Sequence, residues 1–204
     1  MKKIEAIIFD LGGVILDIDY NLTKTAFEKL GATHFDKMYS QAEADHLFAR
    51  LETGDVKPGE FYAEFNKRSD LNLSPGQISG AWNAMLLTFR EESLDFLERI
   101  KNNYRLFLLS NTNEIHYEVF KQIYHSNERS FAFEDYFEKA YYSFDMGKRK
   151  PDADIFEVVL QENNLNPLTA LFIDDSIQNI EAAKQLGIQT IHLTAGMLIE
   201  DIGI

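Results

Sequence analysis

The chain has 204 residues, of which 45% are hydrophobic and 13% aromatic, so it can bury the core of one sizeable domain or of a domain with a small insertion. This composition excludes a disordered or fibrous protein. The formal net charge of −13 disfavours contact with a nucleic-acid backbone, and the absence of cysteine excludes disulfides and thiolate chemistry.

Continuous apolar runs predict buried parallel strands. The first run covers residues 6–9, later runs cover 106–109, 170–173 and 189–193, and a weaker run covers 139–143. Each strong run is uninterrupted rather than alternating, which is typical of strands with helices on both faces.

Residues 17–89 follow the first strand and carry a different pattern. No convincing strand run occurs there, and turn signals lie at residues 53–55, 58–59 and 74–76. Between the turns, apolar residues fall at helical spacings. They are Leu47, Leu51, Phe61, Phe65, Trp82, Met85, Leu86 and Phe89. We therefore expect a helical bundle inserted after the first strand.

From about residue 104 onward, the predicted strands alternate with helical stripes. The stripes lie at residues 94–100, 155–159 and 177–183, and Gly187 stands in a helix-stop position. This alternation predicts an α/β fold with a Rossmann-like, doubly wound and mainly parallel sheet. We assign residues 1–16 and 90–204 to this core and residues 17–89 to the insertion.

The amino terminus does not resemble a cleaved signal peptide, because Glu5 and Asp10 interrupt its apolar run. No stretch of the sequence is long and apolar enough to span a membrane. We expect a cytoplasmic protein, a monomer or a homodimer, that binds neither nucleic acid nor membrane.

Candidate site residues follow the predicted strands, where ligands bind in open α/β sheets. Asp10 ends the first run and precedes two glycines, so its carboxylate is a candidate nucleophile. Ser110 and Asn111 end the second run and are suited to hold phosphate oxygens at a helix start. The alternatives are a loop residue for the first feature and a helix cap for the second.

Two further features carry charge. Lys150 lies in a short basic cluster before a helix and can neutralise a phosphate or Asp10, although a solvated basic patch is the alternative. Asp174 and Asp175 directly follow the run at residues 170–173, and adjacent carboxylates repel each other unless a cation joins them. Oxygen ligands of this kind suit Mg²⁺. The alternative is one capping and one exposed aspartate.

The order and placement of these four features resemble the sequence motifs of haloacid dehalogenase-like hydrolases. The resemblance covers the chain from Ile7 to about Leu193, and the segment 17–89 resembles the helical cap of that superfamily. The first motif and its neighbours are similar to a subgroup that includes bacterial phosphatases acting on glucose 1-phosphate. The resemblance implies a phosphatase that acts on small phosphorylated metabolites, in particular sugar phosphates.

The resemblance also implies roles for the site residues. Asp10 would attack phosphorus and become phosphorylated, Lys150 would neutralise charge, and Ser110 with the Asn111 amide would bind the phosphoryl oxygens. Mg²⁺ would be held by Asp10, the Gly12 carbonyl and Asp175, with Asp174 acting through water. These last roles make Asp10, Gly12, Asp174 and Asp175 the predicted metal site.

Gly12 departs from the superfamily pattern, in which a second aspartate there protonates the leaving group. Three explanations remain open: an acidic leaving group such as an anomeric hydroxyl, a substitute carboxylate such as Asp17 or Asp19, or a slow or inactive protein. The alternative functions are a 2-haloacid dehalogenase and a non-catalytic metabolite-binding protein. The candidate substrate contacts are Arg50, Glu52 and Arg90, with surface salt bridges as the alternative. The five histidines show no ligand spacing, so none is assigned to a metal.

Overall fold

The structure is a computed structural model that describes residues 3–35, 46–127 and 129–204. Its central sheet has five parallel strands in the order β5-β4-β1-β6-β7, and a second sheet pairs β2 with β3. The strands are β1 (Ala6–Phe9), β2 (Leu16–Ile18), β3 (Leu86–Phe89), β4 (Arg105–Ser110), β5 (Lys139–Tyr142), β6 (Ala170–Asp174) and β7 (Gln189–His192).

Helices cover the sheet and build the inserted segment. The α-helices are α1 (Tyr20–Lys29), α2 (His46–Glu52), α3 (Pro58–Ser69), α4 (Pro75–Asn83), α5 (Glu91–Ile100), α6 (Glu114–His125), α7 (Ser143–Met146), α8 (Ala153–Glu162) and α9 (Ile177–Gln185). The predicted Rossmann-like parallel sheet is therefore confirmed, and each predicted apolar run from 6–9 to 189–193 lies on a strand of it.

The strand β1 shows why the runs are continuous. Its four residues are fully or almost fully buried, with Ile7 and Phe9 in the apolar cluster on one face and Ala6 and Ile8 in the cluster on the other. Helices on both faces remove water from both sets of side chains, so polar residues have no place in the strand.

The segment 17–89, which we call the helical segment, packs around a cluster of aromatic rings. The ring of Phe27 lies 4.5 Å from that of Phe35 and 4.7 Å from that of Phe65, measured between centroids. Phe48 and Trp82 pack at 5.0 Å. Helix starts are fixed locally, because Pro58 occupies the first turn of α3 and Ser74 caps α4 by accepting from the amide of Gln77.

One prediction for this segment is wrong, because it contains strand residues. Leu86 and Phe89 lie on β3, which pairs antiparallel with β2 at the positions Leu16 to Phe89 and Ile18 to Leu86. A run of four residues fits a strand or a helical turn equally well by spacing, and here the hydrogen bonds to β2 decide. The pairing of β2 with β3 thus joins the chain just before α1 to the chain just after α4.

In the part of the chain that the structure describes, no helix is both long enough and apolar enough to cross a lipid bilayer.

Candidate active site

The sheet order brings three polar side chains to one edge. Because β1 lies between β4 and β6 and all three run parallel, their carboxyl ends are adjacent. Asp10 follows β1, Ser110 ends β4 and Asp174 ends β6. Asp10 is fixed there by its amide, which donates to the carbonyl of Ile173 at 2.9 Å.

Lys150 reaches this edge from the loop before α8 and is only 1% exposed. Its ammonium Nζ lies 2.7 Å from Asp10 Oδ1 and 2.7 Å from Asp174 Oδ2. An ammonium can be buried this deeply only when opposite charges compensate for its lost hydration, and the two carboxylates do so. The basic-patch reading of Lys150 does not fit this position.

Asp174 is fully buried and holds Lys150 in place. Its Oδ1 accepts from the amide of Ser176 at 2.7 Å, and the side-chain amide of Asn179 donates to both carboxylate oxygens at 3.1 and 3.0 Å. Both oxygens are therefore engaged by the protein. In this arrangement Asp174 contacts Lys150 directly.

The backbone of Lys150 is also clamped. The side chain of Asn111 donates to its carbonyl at 2.8 Å and accepts from its amide at 2.9 Å. The Asn111 side chain is thereby committed to the loop that carries Lys150. The next amide, that of Thr112, donates to the hydroxyl of Ser143 at 2.9 Å.

Burial dominates the electrostatics of the edge. It raises the pKa of Asp10 to about 7, with help from Asp174 and against the opposing effect of Lys150. Burial and the neighbouring Asp174 also raise the pKa of Asp175. Burial alone would lower the pKa of Lys150, but its ion pairs with Asp10 and Asp174 hold that pKa above its usual value. Both carboxyl pKa values are thus raised mainly by burial, and the neighbouring carboxylates add to that effect.

The donor set fits a small divalent cation. Asp10, Asp174 and Asp175 each offer an oxygen, and these oxygens lie within 4.8 Å of one another. Three carboxylates and one ammonium carry a net formal charge of −2, which a divalent ion would neutralise. Gly13, at φ +74°, lets the loop after β1 pass directly against Asp175, because any side chain there would collide with that carboxylate.

A cavity of about 660 Å³ opens above the edge. Asp10, Ser110, Lys150 and Asp175 line it from the core side, together with Gly12. The helical segment lines the opposite side through residues of α2, the first residue of α1, and residues in or next to β2 and β3. They are Ile18, Tyr20, Phe48, Ala49, Glu52, Met85 and Leu86.

The cavity is also lined by two polar residues that are not among the site residues predicted from the sequence. His116 stacks on Trp82, with ring centroids 4.9 Å apart, and its Nδ1 lies 2.8 Å from the side-chain oxygen of Asn83. Its burial lowers its pKa to about 3, so the ring is neutral. Arg149 lines the cavity beside Lys150. No spacing rule singles out either residue before the fold is known.

The other acidic and basic candidates of the sequence have different surroundings. Glu52 lines the cavity and also forms an ion pair with Arg149. Arg90 pairs with Asp17 at 2.7 Å and lies outside the cavity lining, as does Arg50. The Asp19 carboxylate caps α1.

Comparison with known proteins gives one consistent result. A family model described as haloacid dehalogenase-like hydrolase matches residues 4–187. The chain is 31% identical over 187 residues to a D-ribitol-5-phosphate phosphatase of Bacteroides thetaiotaomicron, a match that covers 92% of this chain and 90% of the relative. It is 24% identical over 195 residues to a phosphorylated carbohydrates phosphatase of Thermotoga maritima, covering 92% and 84%.

The fold is similar to a solved structure as well. A crystal structure of an enzyme of Bacteroides thetaiotaomicron in complex with magnesium and inorganic phosphate superposes with a TM-score of 0.86 at 34% identity. The superposition covers 95% of this chain and 96% of that one.

Proposed function

This chain belongs to the haloacid dehalogenase-like hydrolases, and we propose that it is a magnesium-dependent phosphomonoesterase acting on small phosphorylated metabolites, in particular the phosphates of sugars or sugar alcohols. The observation that carries the proposal is the buried Lys150, held 2.7 Å from both Asp10 and Asp174. The names of the relatives support a phosphorylated carbohydrate as the substrate.

The nucleophile in this proposal is Asp10. Its Oδ1 is held by Lys150, which leaves the second oxygen to attack phosphorus in line with the bond to the leaving group. The ammonium stabilises the ionised carboxylate against its burial and attracts the substrate phosphate. The product of the step is an aspartyl-phosphate at Asp10.

Phosphate oxygens would be held from β4. The Ser110 hydroxyl lines the cavity next to Asp10, and the Asn111 backbone N–H follows it. Donors fixed in advance stabilise the charge that spreads over the phosphoryl oxygens, because they need no reorganisation during the reaction. The clamp between Asn111 and Lys150 keeps these donors and the ammonium in one rigid unit.

Asp10, Asp175 and the Gly12 carbonyl would bind the Mg²⁺ directly, and Asp174 would act on it indirectly. When bound, the ion neutralises negative charge on the phosphoryl group and on the carboxylates. Asp174 in this proposal has a positioning role, since its oxygens hold Lys150, Ser176 and Asn179.

We also propose that residues 17–89 act as a cap over a core formed by residues 1–16 and 90–204. Two features support this: the two-stranded connection β2–β3 joins the parts, and residues of the helical segment line the cavity opposite Asp10. Substrate choice would then lie with cavity residues of the cap. The formal charge of −13 supports a partner that is not a nucleic acid. A cytoplasmic location and a monomeric or homodimeric state are part of the same proposal.

The test is phosphate release from a panel of sugar, sugar-alcohol and aryl phosphates, with Mg²⁺ and with excess chelator. We expect release that requires Mg²⁺ and is lost in Asp10→Asn. A haloacid in the panel covers the dehalogenase alternative. Absence of release from every ester, with Mg²⁺ bound, would overturn the proposal in favour of a binding protein.

A further inference from the structure

An alkyl leaving group needs a proton, and Gly12 cannot supply one. The alkoxide of a sugar-alcohol phosphate is strongly basic, so its departure is slow unless an acid donates to it. Such an acid must line the cavity that contains Asp10. Among the described residues of that cavity, the carboxyl side chains are Asp10, Glu52 and Asp175. The first is the proposed nucleophile and the third is a proposed metal ligand.

The aspartates nearest to Gly12 in sequence are committed elsewhere. Asp17 Oδ1 accepts from Arg90 Nε at 2.7 Å. Asp19 Oδ1 accepts from the amide of Asn21 at 2.9 Å and from its side chain at 3.1 Å, which fixes the start of α1. Neither aspartate belongs to the cavity lining. Glu52 is the carboxyl that remains.

The position of Glu52 suits a proton donor. It is the last residue of α2, on the side of the cavity that the helical segment provides. A nucleophile at the sheet edge expels the leaving oxygen on the far side of phosphorus, because the attacking and leaving oxygens stand in line. The leaving oxygen of a substrate attacked by Asp10 therefore points away from the strand ends and towards the helical segment.

The carboxyl of Glu52 is anchored by one oxygen. Its Oε2 accepts from Arg149 Nε at 3.0 Å and from Arg149 Nη2 at 2.8 Å. In the described part of the chain, Oε1 has no hydrogen-bond partner. One oxygen thus fixes the orientation while the other can exchange a proton. Burial raises the pKa of the carboxyl against the opposing effects of Arg149 and Lys150, so a proton is easier to retain than on an exposed glutamate.

We propose that Glu52 is the general acid and general base of the reaction, in place of the side chain missing at Gly12. The inference rests on the proposed phosphatase function. Arg149 is a positioning residue that ties the acid on α2 to the loop of Lys150.

Proton transfer through Glu52 balances over the two steps. In the first, an Asp10 oxygen forms a bond to phosphorus, the ester P–O bond breaks, and the leaving oxygen takes the proton of the Glu52 carboxylic acid. The alcohol departs and Glu52 is a carboxylate. In the second, this carboxylate takes a proton from water as the water oxygen bonds to phosphorus and the P–O bond to Asp10 breaks. Inorganic phosphate leaves, and both side chains return to their starting forms.

The variant Glu52→Gln distinguishes a role in acid catalysis from a role in substrate binding when its activities on two esters are compared. p-Nitrophenyl phosphate has a leaving group that departs without protonation, whereas ribitol 5-phosphate does not. We expect kcat/KM to fall about 10²- to 10⁴-fold for the alkyl ester, the usual contribution of acid catalysis. For the aryl ester, kcat/KM should fall less than about tenfold. This ratio depends only on the steps up to the first irreversible one, and departure of the aryl group in that step needs no acid. The aryl kcat should fall, since water still needs the base.

Controls keep the result interpretable. Glu157→Gln, at an exposed position on α8, should leave both esters unaffected. Equal loss of kcat/KM on the two esters, or no loss on either, would overturn the role of Glu52. If the wild type releases no phosphate from either ester with Mg²⁺, the proposed function itself fails, which is a different outcome.

A measurement on the wild type covers the case in which Glu52→Gln does not fold. Across a series of aryl and alkyl phosphates, an enzyme with a working acid shows a shallow dependence of log kcat/KM on the pKa of the leaving group. We expect this shallow dependence. A steep decline towards alkyl leaving groups would show that no group donates a proton, and would overturn the proposal.

Discussion

The two sides of the cavity are stabilised by different interactions, ion pairs on one side and apolar packing on the other. On the core side, Asp10, Lys150 and Asp174 form a buried network in which each charge has a partner at 2.7 Å. On the side of the helical segment, an apolar cluster rich in aromatic rings packs near the carboxyl group of Glu52, which Arg149 ties to the loop of Lys150. The core side resists rearrangement because every lost contact leaves a buried charge. The opposite side is held by packing, which tolerates changes of shape better.

This difference suggests that substrate selectivity can change on the side of the helical segment while the reaction chemistry on the core side stays the same. In the proposed reaction, the fixed donors and charges at the strand ends would stabilise one phosphoryl geometry whatever the alcohol is. The side chains that the helical segment contributes to the cavity can change without altering the charges around Asp10. The following variants test how far the two sides are separable, from the largest expected effect to the smallest.

Lys150→Met should damage the core side most. It leaves Asp10 and Asp174 buried without a compensating charge, so we expect the free energy of unfolding to fall by about 3–5 kcal/mol. Activity should fall at least about 100-fold through the lost stabilisation of charge on phosphate. Denaturant unfolding and phosphate release measure the two effects. Lys148→Met, which removes an exposed partner of Asp154, is the control, and a similar loss there would contradict the account.

Phe61→Ala should damage the helical segment without reaching the charges. The ring is fully buried against Phe48 and Trp82, so its loss should lower the free energy of unfolding by about 3–5 kcal/mol. While the variant is folded, its Mg²⁺ affinity should equal that of the wild type. Phe172→Ala, two residues before Asp174 on β6, should cost similar stability and also weaken Mg²⁺ binding. Calorimetric titration with Mg²⁺ distinguishes them, and equal Mg²⁺ affinities would contradict the separation.

Gly13→Ala should weaken Mg²⁺ binding by displacing Asp175. The methyl group would meet that carboxylate, and the backbone would be held at φ +74°, at a cost of about 1–3 kcal/mol. Gly196→Ala provides a matched control, because Gly196 has φ +86° and open space around its Cβ position. It shares the backbone strain and lacks the collision. Loss of Mg²⁺ affinity in both variants would show that strain alone is responsible.

His116 should make stability depend on pH in a defined direction. Burial lowers its pKa to about 3 in the folded protein, whereas the unfolded chain takes up the proton below about pH 6.5. The unfolded state thus binds more protons, so this contribution is present above pH 6.5 and is lost as the pH falls towards 3, by about 1.4 kcal/mol per pH unit.

His116→Gln should remove that slope, measured as the free energy of unfolding at pH 7 and pH 5.5. His125→Gln, at an exposed position on the same helix, should keep the wild-type slope. An unchanged slope in His116→Gln would mean that the ring takes up its proton over the same pH range in the folded and unfolded protein, and would contradict the lowered pKa.

The core was predictable from the sequence because its signals are local. A strand covered on both faces must be apolar throughout, so the five runs could be read directly, and ligand-facing residues follow where each run ends. The short strand β3 does not follow from the sequence, since four residues do not define a period and its pairing with β2 joins positions about 70 residues apart.

The two sides of the site differ in the same way. Asp10 and Asp174 can be recognised in the sequence as carboxylates that follow apolar runs, although their roles remain predictions. No sequence signal ranks Glu52 above the other candidate contacts Arg50 and Arg90, and none singles out His116. Their places depend on how α2 and α6 pack over the sheet edge, which no local pattern encodes.

The central claim is that Asp10 carries the phosphoryl group, and rapid acid quenching tests it most directly. Wild-type protein and Asp10→Asn would be mixed with p-nitrophenyl phosphate and Mg²⁺, quenched within the first turnover and digested for mass spectrometry. We predict one phosphoryl group on the wild-type peptide that contains Asp10, and none on the variant, which also releases no phosphate. Release of phosphate by Asp10→Asn at the wild-type rate, with the peptide unmodified in both proteins, would contradict the account.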